Sequence, residues 1–416
     1  MTYPGLAALR ADWRLLVFGF LMAFASSPGQ TYFISLFSQH FRDEFGLSHA
    51  SFGMLYSVAT LVSGFLLIWA GGLIDRIDLR LFAAVVLFGL GLAATAASSA
   101  VGPLTLGIAI FLLRFFGQGL ASHISVTATA RYADPAVRGK AVSLATLGFP
   151  AGEALWPVMA IAAVVAFGWR QTYGGAAVLV VVLIMPLALL LLASHGRRHA
   201  ALLERTSATG SADETRQWTR GEVARDPLFR RVLIAVMAPS FIVTGILFHQ
   251  VHLAETKGWD LAAFALGYVG YAICQVGTAL VAGPVIDRFG ARWTARFYLV
   301  PLGVGLLVLA VFDPIWSGYL FLMSAGATAG VSSTLLGTLW AELYGVRHLG
   351  AVRALVTACS VVASALSPAS LGVLLNLGVP IEALPLGCAV YVAVGVAILV
   401  RQFSGGSPPI APVVEP

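Results

Sequence analysis

Charge is what this sequence has least of. Only 11% of its 416 residues are Asp, Glu, Lys or Arg, against about 25% in an ordinary soluble domain. Hydrophobic residues make up 59% and the mean hydropathy is +0.88. A soluble chain of this length could not hide that much apolar surface, so lipid is the solvent for most of it. Alternation of polar and apolar residues is also missing. The long unbroken apolar runs argue against an outer-membrane β-barrel. No run of basic residues accompanies the net charge of +6. Arginines stand singly between apolar stretches, which argues against a nucleic-acid partner and leaves a topology signal instead. Cys274, Cys359 and Cys388 lie in apolar segments with neither pairs nor metal-ligand spacing, and read as small core residues. No G-x-x-x-x-G-K-[ST] loop occurs, so any work must be driven by a gradient. Histidines and acids are too dispersed for a catalytic set, and no polar segment is long enough for the output domain of a sensor. Neither enzyme chemistry nor a cofactor is implied.

What is present is a series of stretches long enough to cross the hydrocarbon as helices, which takes roughly 20 residues each. Twelve can be counted: 14–39, 49–72, 81–100, 103–130, 138–165 and 170–194, then 229–254, 262–284, 293–311, 314–341, 348–374 and 380–401. The polar segment 195–228 separates two sets of six, and within it Thr219-Arg220-Gly221-Glu222 has the form of a capping box. The first run, from Arg10 and Arg14 to Ala25, has features of a signal peptide but reads as an uncleaved first helix. The tail 404–416 is rich in Gly, Pro and Ser and reads as disordered. With the N-terminus inside, only Arg42, Arg170 and Lys257 of the 25 basic residues fall outside, and Arg114 lies mid-span. That bias predicts a multi-pass protein of the plasma (inner) membrane with both termini cytoplasmic. The fold class expected is all-α: bundles of six helices at 1–194 and 229–403, joined by a cytoplasmic loop at 195–228.

The two sets repeat one another. Gly71-Gly72-Leu73-Ile74-Asp75-Arg76-Ile77-Asp78-Leu79-Arg80 returns as Gly283-Pro284-Val285-Ile286-Asp287-Arg288-Phe289-Gly290-Ala291-Arg292, displaced by 212 residues. Each copy closes one apolar span and opens the next, and Tyr132 through Arg138-Gly139 likewise matches Tyr344 through Leu349-Gly350. The repeated G-x-x-x-D-R-x-x-x-R frame resembles the loop motif of the major facilitator superfamily of transporters, G-x-L-A-D-R-x-G-R-K. In the first copy Asp78 stands where that family prefers glycine, and the second copy keeps Gly290. The resemblance implies two pseudo-symmetric six-helix bundles, a substrate site at the midplane and alternating access. It further implies that Gly71, Asp75, Arg76, Arg80, Gly283, Asp287, Arg288 and Arg292 gate conformational change. The partners expected from the whole sequence are a small solute, protons and lipid around a monomeric chain.

Ionisable groups inside the membrane are costly and so informative. Arg114 lies 17 residues before Arg131, about 25 Å along a helix. Glu153 lies 13 residues after Lys140, about 20 Å up the next helix. The two can face each other, either as a fixed ion pair or as a gate in which Glu153 alternately holds a proton or the arginine. Leu113 to Gly119 resembles the family's fourth-helix R-x-x-Q-G motif, with Gln118 one place late, and the resemblance ties Arg114 to substrate or proton. Thr146 to Gly152 partly resembles the antiporter G-P-x-x-G-G motif, with the proline displaced and Glu153 in place of the last glycine. Gly245 to Ala254 resembles the G…V-H-L segment of the monocarboxylate transporter branch, and puts His249 and His252 at i, i+3, near the outer mouth. No third ligand accompanies them for a metal. That branch and the oxalate:formate antiporter carry a charged eighth-helix residue, where this chain offers only Gln275. Arg353 is the remaining cation of the second half, at the helix end. Gln30 and Tyr32 follow a Ser-Ser-Pro-Gly break in helix one and suit substrate hydrogen bonding. Tyr56, Gln118, His123, Trp156, Tyr271 and Asn376 read as packing at helix interfaces. Glu255 and Lys257 read as solvated. Transport of a small organic anion is the first functional reading, and export of a drug or metabolite the second.

Overall fold

The computed structural model describes residues 12–133, 137–193, 220–345 and 349–404, apart from the side chains of Asp75, Arg220 and residues 349–351. Residues 1–11, residues 195–219 of the polar segment 195–228, the tail 405–416 and parts of the two repeated fourth-to-fifth loops thus lie outside the described residues. Among the described residues every regular element is a helix. The chain divides into two compact units at 213/214.

The first unit holds α1 (Trp13–Ala25), α2 (His49–Ala70) and α3 (Leu79–Ser98). It continues with α4 (Pro103–Tyr132), α5 (Arg138–Phe167) and α6 (Trp169–Leu191). The second holds α7 (Pro227–Phe248), α8 (Leu261–Phe289), α9 (Ala291–Val311), α10 (Trp316–Tyr344), α11 (Leu349–Asn376) and α12 (Ala383–Phe403). Among the described residues eleven helices are long and apolar enough to span a bilayer. The twelfth expected stretch, 14–39, is α1 followed by short 3₁₀ and α-helical pieces that run on to Phe45.

Helix starts follow local chemistry. Ser48 accepts a hydrogen bond from Ser51 N at 3.1 Å to open α2, and Asp260 accepts from Ala263 N at 2.7 Å to open α8, each satisfying an orphan N–H of the first turn. The two copies of the loop motif solve their turn differently. Asp78 caps α3 by accepting from Arg80 N at 2.9 Å and Leu81 N at 3.2 Å. Gly290 instead takes φ +84° between α8 and α9, a conformation open chiefly to glycine. The departure of Asp78 from the family pattern is therefore a change of turn type.

Apolar side chains face outward in number: Phe65, Ile68, Leu104, Val165 and Leu280 are exposed, as expected where lipid is the solvent. Within each unit the helices instead approach through small residues, because apolar burial gives little advantage over lipid contact. A Cβ at Gly148 on α5 would overlap the Phe20 carbonyl oxygen of α1. A Cβ at Gly326 on α10 would overlap the Tyr271 carbonyl oxygen of α8, whereas one at Gly277 would meet nothing within 4 Å. We expect Gly326→Ala to destabilise the protein by about 1–3 kcal/mol through overpacking and Gly277→Ala to leave stability unchanged or slightly raised. Thermal or SDS-induced unfolding of the purified variants measures both.

Candidate functional site

The site in the first unit begins with the break after α1. Pro28 has no N–H to donate, and the chain turns through a tight 3₁₀ segment, Ser27–Gly29, before Gln30 adopts an extended conformation. Ser26 Oγ donates to the Ala23 carbonyl at 2.7 Å and Ser27 Oγ to the Phe24 carbonyl at 2.8 Å, so hydroxyls supply donors that the interrupted helix lacks. Opposite the break, α4 widens into a π-helical segment over Arg114–Ala121. The two irregular stretches nest backbone to backbone. A Cβ on Gly29 would overlap the Leu113 carbonyl, and one on Gly117 would stand 2.8 Å from Gly29 Cα.

This nesting carries Arg114 into the unit's interior, where it is 1% exposed. Its Nε donates to Thr60 Oγ1 at 3.1 Å, and Nη1 donates to the Gly29 carbonyl at 3.1 Å and to Thr31 Oγ1 at 3.4 Å. The guanidinium lies 5.1 Å from the centre of the Tyr56 ring, a cation–π distance. The Tyr56 hydroxyl is in turn 2.7 Å from Thr31 Oγ1. Every one of these partners is neutral, and Nη2 is buried with none.

The expected ion pair with Glu153 does not form. Arg114 and Glu153 are both described, and no ion pair joins them; Glu153 Oε2 is buried without a hydrogen-bond partner. The cation and the acid share a unit at similar depth, but the break in α1 supplies carbonyl and hydroxyl oxygens that take the acid's place. Gln30 is half-buried and its Nε2 donates to Ser26 Oγ at 3.2 Å and weakly to Ser122 Oγ at 3.5 Å. Tyr32 is buried, its hydroxyl near Gly152 on α5. Trp156 Nε1 donates to the Phe24 carbonyl at 3.1 Å. Thr31 and Thr60 were not singled out from the sequence, since threonines in apolar helices carry no motif of their own.

In the second unit His249 is the junction at which α7 stops and the short helix Gln250–Thr256 begins. His249 is 4% exposed and its Nε2–H donates to the Pro368 carbonyl of α11 at 3.3 Å. His252 lies beyond the junction and is half-buried, so the two histidines do not share one face of a continuous helix, as their spacing had implied. The neighbouring Gln250, unmarked in the sequence analysis, is 1% exposed and accepts from the Tyr268 hydroxyl at 2.7 Å. A sequence signal exists for its partner Tyr268. Tyr56 and Tyr268 each precede the repeated loop glycine by 15 positions, and both are buried with their hydroxyls engaged. Gln275 has a buried, unpartnered Oε1. Arg353 is exposed and joins no buried cluster.

Around the loop motifs, Arg76, Arg80, Asp287, Arg288 and Arg292 are exposed, and the side chain of Asp75 lies outside the described residues. Glu342 Oε1 accepts from Ala291 N at 3.2 Å, a carboxylate at a helix N-terminus, where the dipole favours it. His123 Nε2 stands 3.1 Å from the Gly71 carbonyl oxygen. Lys257 corrects another expectation. Its ammonium is not solvated but donates to the Phe312 carbonyl at 2.8 Å and to Asp313 at 3.0 Å, with its side chain 1% exposed. The turn before α10 folds over it.

The sequence model of the Major Facilitator Superfamily matches residues 19–268 and again 234–412. The chain belongs to the major facilitator superfamily of transporters. The fold is similar to that of a bacterial homologue of the human lysosomal transporter Spinster, whose crystal structure in an inward-facing and occupied conformation aligns with a TM-score of 0.68 at 13% identity, covering 99% of this chain and 100% of that one. The inward-facing, unoccupied structure of such a homologue aligns at 0.63, also with 13% identity and with 99% and 100% coverage. No curated protein sequence matches the chain. These similarities reach the superfamily and its fold, not the monocarboxylate branch.

The seating of Arg114 makes a stability prediction. Thr60→Val is nearly isosteric but removes the acceptor for Nε, and should destabilise the protein by about 1–3 kcal/mol by leaving a buried charged donor unmet. Thr95 bonds only back to Gly91 of its own helix, and Thr95→Val should change stability by less than about 0.5 kcal/mol. Parallel unfolding curves decide it.

Proposed function

We propose that this transporter moves a small organic anion by alternating access, in exchange or symport with protons, with Arg114 as the counter-charge for the substrate and Glu153 as the proton carrier. The observation that carries the reading is the state of Arg114: a guanidinium buried in a membrane-spanning helix, held by neutral oxygens alone, with Nη2 unpartnered. A buried cation is costly when no opposite charge compensates it. A carboxylate arriving with the substrate would supply that charge, and guanidinium geometry suits two-oxygen anions. Thr31 and Tyr56 would complete the contact through their hydroxyls, with Gln30 as a further donor.

Glu153 enters on similar grounds. A carboxylate with a buried oxygen and no donor is an expensive arrangement, and protonation removes most of the cost. The anion and the proton thus have separate seats in one unit, and coupling requires that filling one change the affinity of the other. Gln250, Tyr268, Tyr271 and Gln275 offer the second unit only neutral hydrogen-bonding groups, so the charge recognition in this reading belongs to the first. The cytoplasmic position of both termini remains part of the proposal, on the strength of the arginine bias.

Uptake into liposomes at an imposed pH gradient, across a panel of small carboxylates and their amides, tests the reading. Wild-type protein should accumulate one or more carboxylates and none of the amides. Arg114→Gln should lower uptake at least ~100-fold, the scale of a lost charge-assisted contact. Glu153→Gln should abolish pH-driven accumulation while sparing substrate exchange. Full pH-driven uptake by the Glu153 variant would remove the proton role, and equal transport of acids and amides would remove the anion.

A further inference from the structure

We propose that His123 is a positioning residue that ties α4 to the loop at Gly71–Asp75, and that the π-helical segment between Arg114 and His123 makes this tie respond to what Arg114 holds. The second part rests on the reading of Arg114 as the substrate's counter-charge; the first does not.

The geometry is a two-point clamp between α4 and α2. At one point Arg114 Nε donates to Thr60 Oγ1 at 3.1 Å. At the other, His123 Nε2 donates to the Gly71 carbonyl at 3.1 Å, where α2 gives way to the 3₁₀ turn Gly71–Asp75. The donor is an imidazole N–H, which the neutral ring retains at one nitrogen; Thr127 Oγ1 stands 3.4 Å from Nδ1 and 3.5 Å from Nε2, and it is the Gly71 carbonyl, which can only accept, that calls for the proton on Nε2. Between the clamp points α2 runs 11 residues and α4 runs nine. Almost all of the α4 stretch is the wide segment Arg114–Ala121. A π-helical segment is rare, frequent at functional sites and one step in register from an ordinary α-helix. In the relay it serves as the element with two arrangements that transmission between two sites requires.

The nesting of Gly29 against Gly117 and Leu113, with the bonds Arg114 makes to Gly29 and Thr31, holds the wide form. A ligand that draws the guanidinium off those oxygens releases that support. The stretch of α4 that follows, beginning at Ser122 and carrying His123, then shifts against Gly71, and the loop loosens. Among the described residues the second unit shows no such tie. The position 212 residues beyond His123 is Leu335, a buried leucine, and the neighbourhood of Gly283 is open, with nothing within 4 Å of where a Cβ would sit. The two copies of the motif are thus not mechanically equivalent.

Hydrogen–deuterium exchange of the full chain in lipid nanodiscs, read at amides 72–77, tests this. His123→Phe keeps a ring but loses the donor, and should speed exchange there about 5–10-fold, the scale of one hydrogen bond lost from a local opening. His123→Gln restores an N–H at similar reach and should stay within about 2-fold of wild type. Arg114→Gln (or Arg114→Lys, if the glutamine variant does not purify) should speed exchange of the same amides, and should add less than about 2-fold in the His123→Phe background. Unchanged exchange in His123→Phe would overturn the tie. No effect from Arg114, or effects of the two sites that multiply, would overturn the relay. Lost uptake in Arg114→Gln with loop exchange unchanged would leave the substrate reading standing without the relay. Normal uptake with raised exchange would do the reverse.

Discussion

A single guanidinium, lodged in a membrane-spanning helix and answered only by uncharged oxygens, is the constraint on which the first unit is built. A bare cation at that depth would cost several kcal/mol, so the surrounding chain is shaped to supply acceptors. Pro28 and Gly29 interrupt α1 and free a carbonyl. Gly117 lets that interruption come within backbone contact of α4, and the π-helical widening at Arg114–Ala121 gives it room. Thr31 and Thr60 add hydroxyls from two further positions. None of these features is a stable choice by itself: a broken helix, a wide turn and a buried charge each cost free energy. They are mutually supporting, and they occur together at one point of the unit.

The second unit repeats the plan without the charge. The position 212 residues beyond Arg114 is Gly326, packed against the backbone of Tyr271, so a side chain there would force the two helices apart. Tyr268 keeps the place of Tyr56 but takes its hydrogen bond to Gln250, beside a helix junction at His249 rather than a proline break. The two units thus share the frame, the loop motif and a buried tyrosine, while their polar groups differ: a buried cation in one, neutral hydrogen-bonding groups in the other. The same asymmetry reaches the loops, where Asp78 and Gly290 achieve one turn by different means.

Much of this architecture could be read from residue order. Span positions followed from apolar run length, and the repeat from two ten-residue frames. Arg114 was marked by being charged where charge is rare, and the break after α1 by Ser-Ser-Pro-Gly. What could not be read was direction around a helix axis. Counting residues from Arg131 and Lys140 gives the heights of Arg114 and Glu153 but not whether they point at each other, and they do not pair. The histidine spacing is a related case: i, i+3 assumes an unbroken helix, and α7 stops at His249. Lys257 was judged by its nearness to a helix end, whereas Asp313, 56 residues on, folds back to bury it. In each case the deciding partner was distant in sequence and ordinary in type, as Thr31 and Thr60 are.

The central claim is that the buried charge of Arg114 is completed by a substrate anion. Calorimetric titration of the purified protein with small carboxylates and with the matching amides measures this most directly. The account predicts saturable binding of at least one acid, no measurable binding of its amide, and loss of the difference in Arg114→Gln. Equal affinity for acid and amide in the wild-type protein would contradict it.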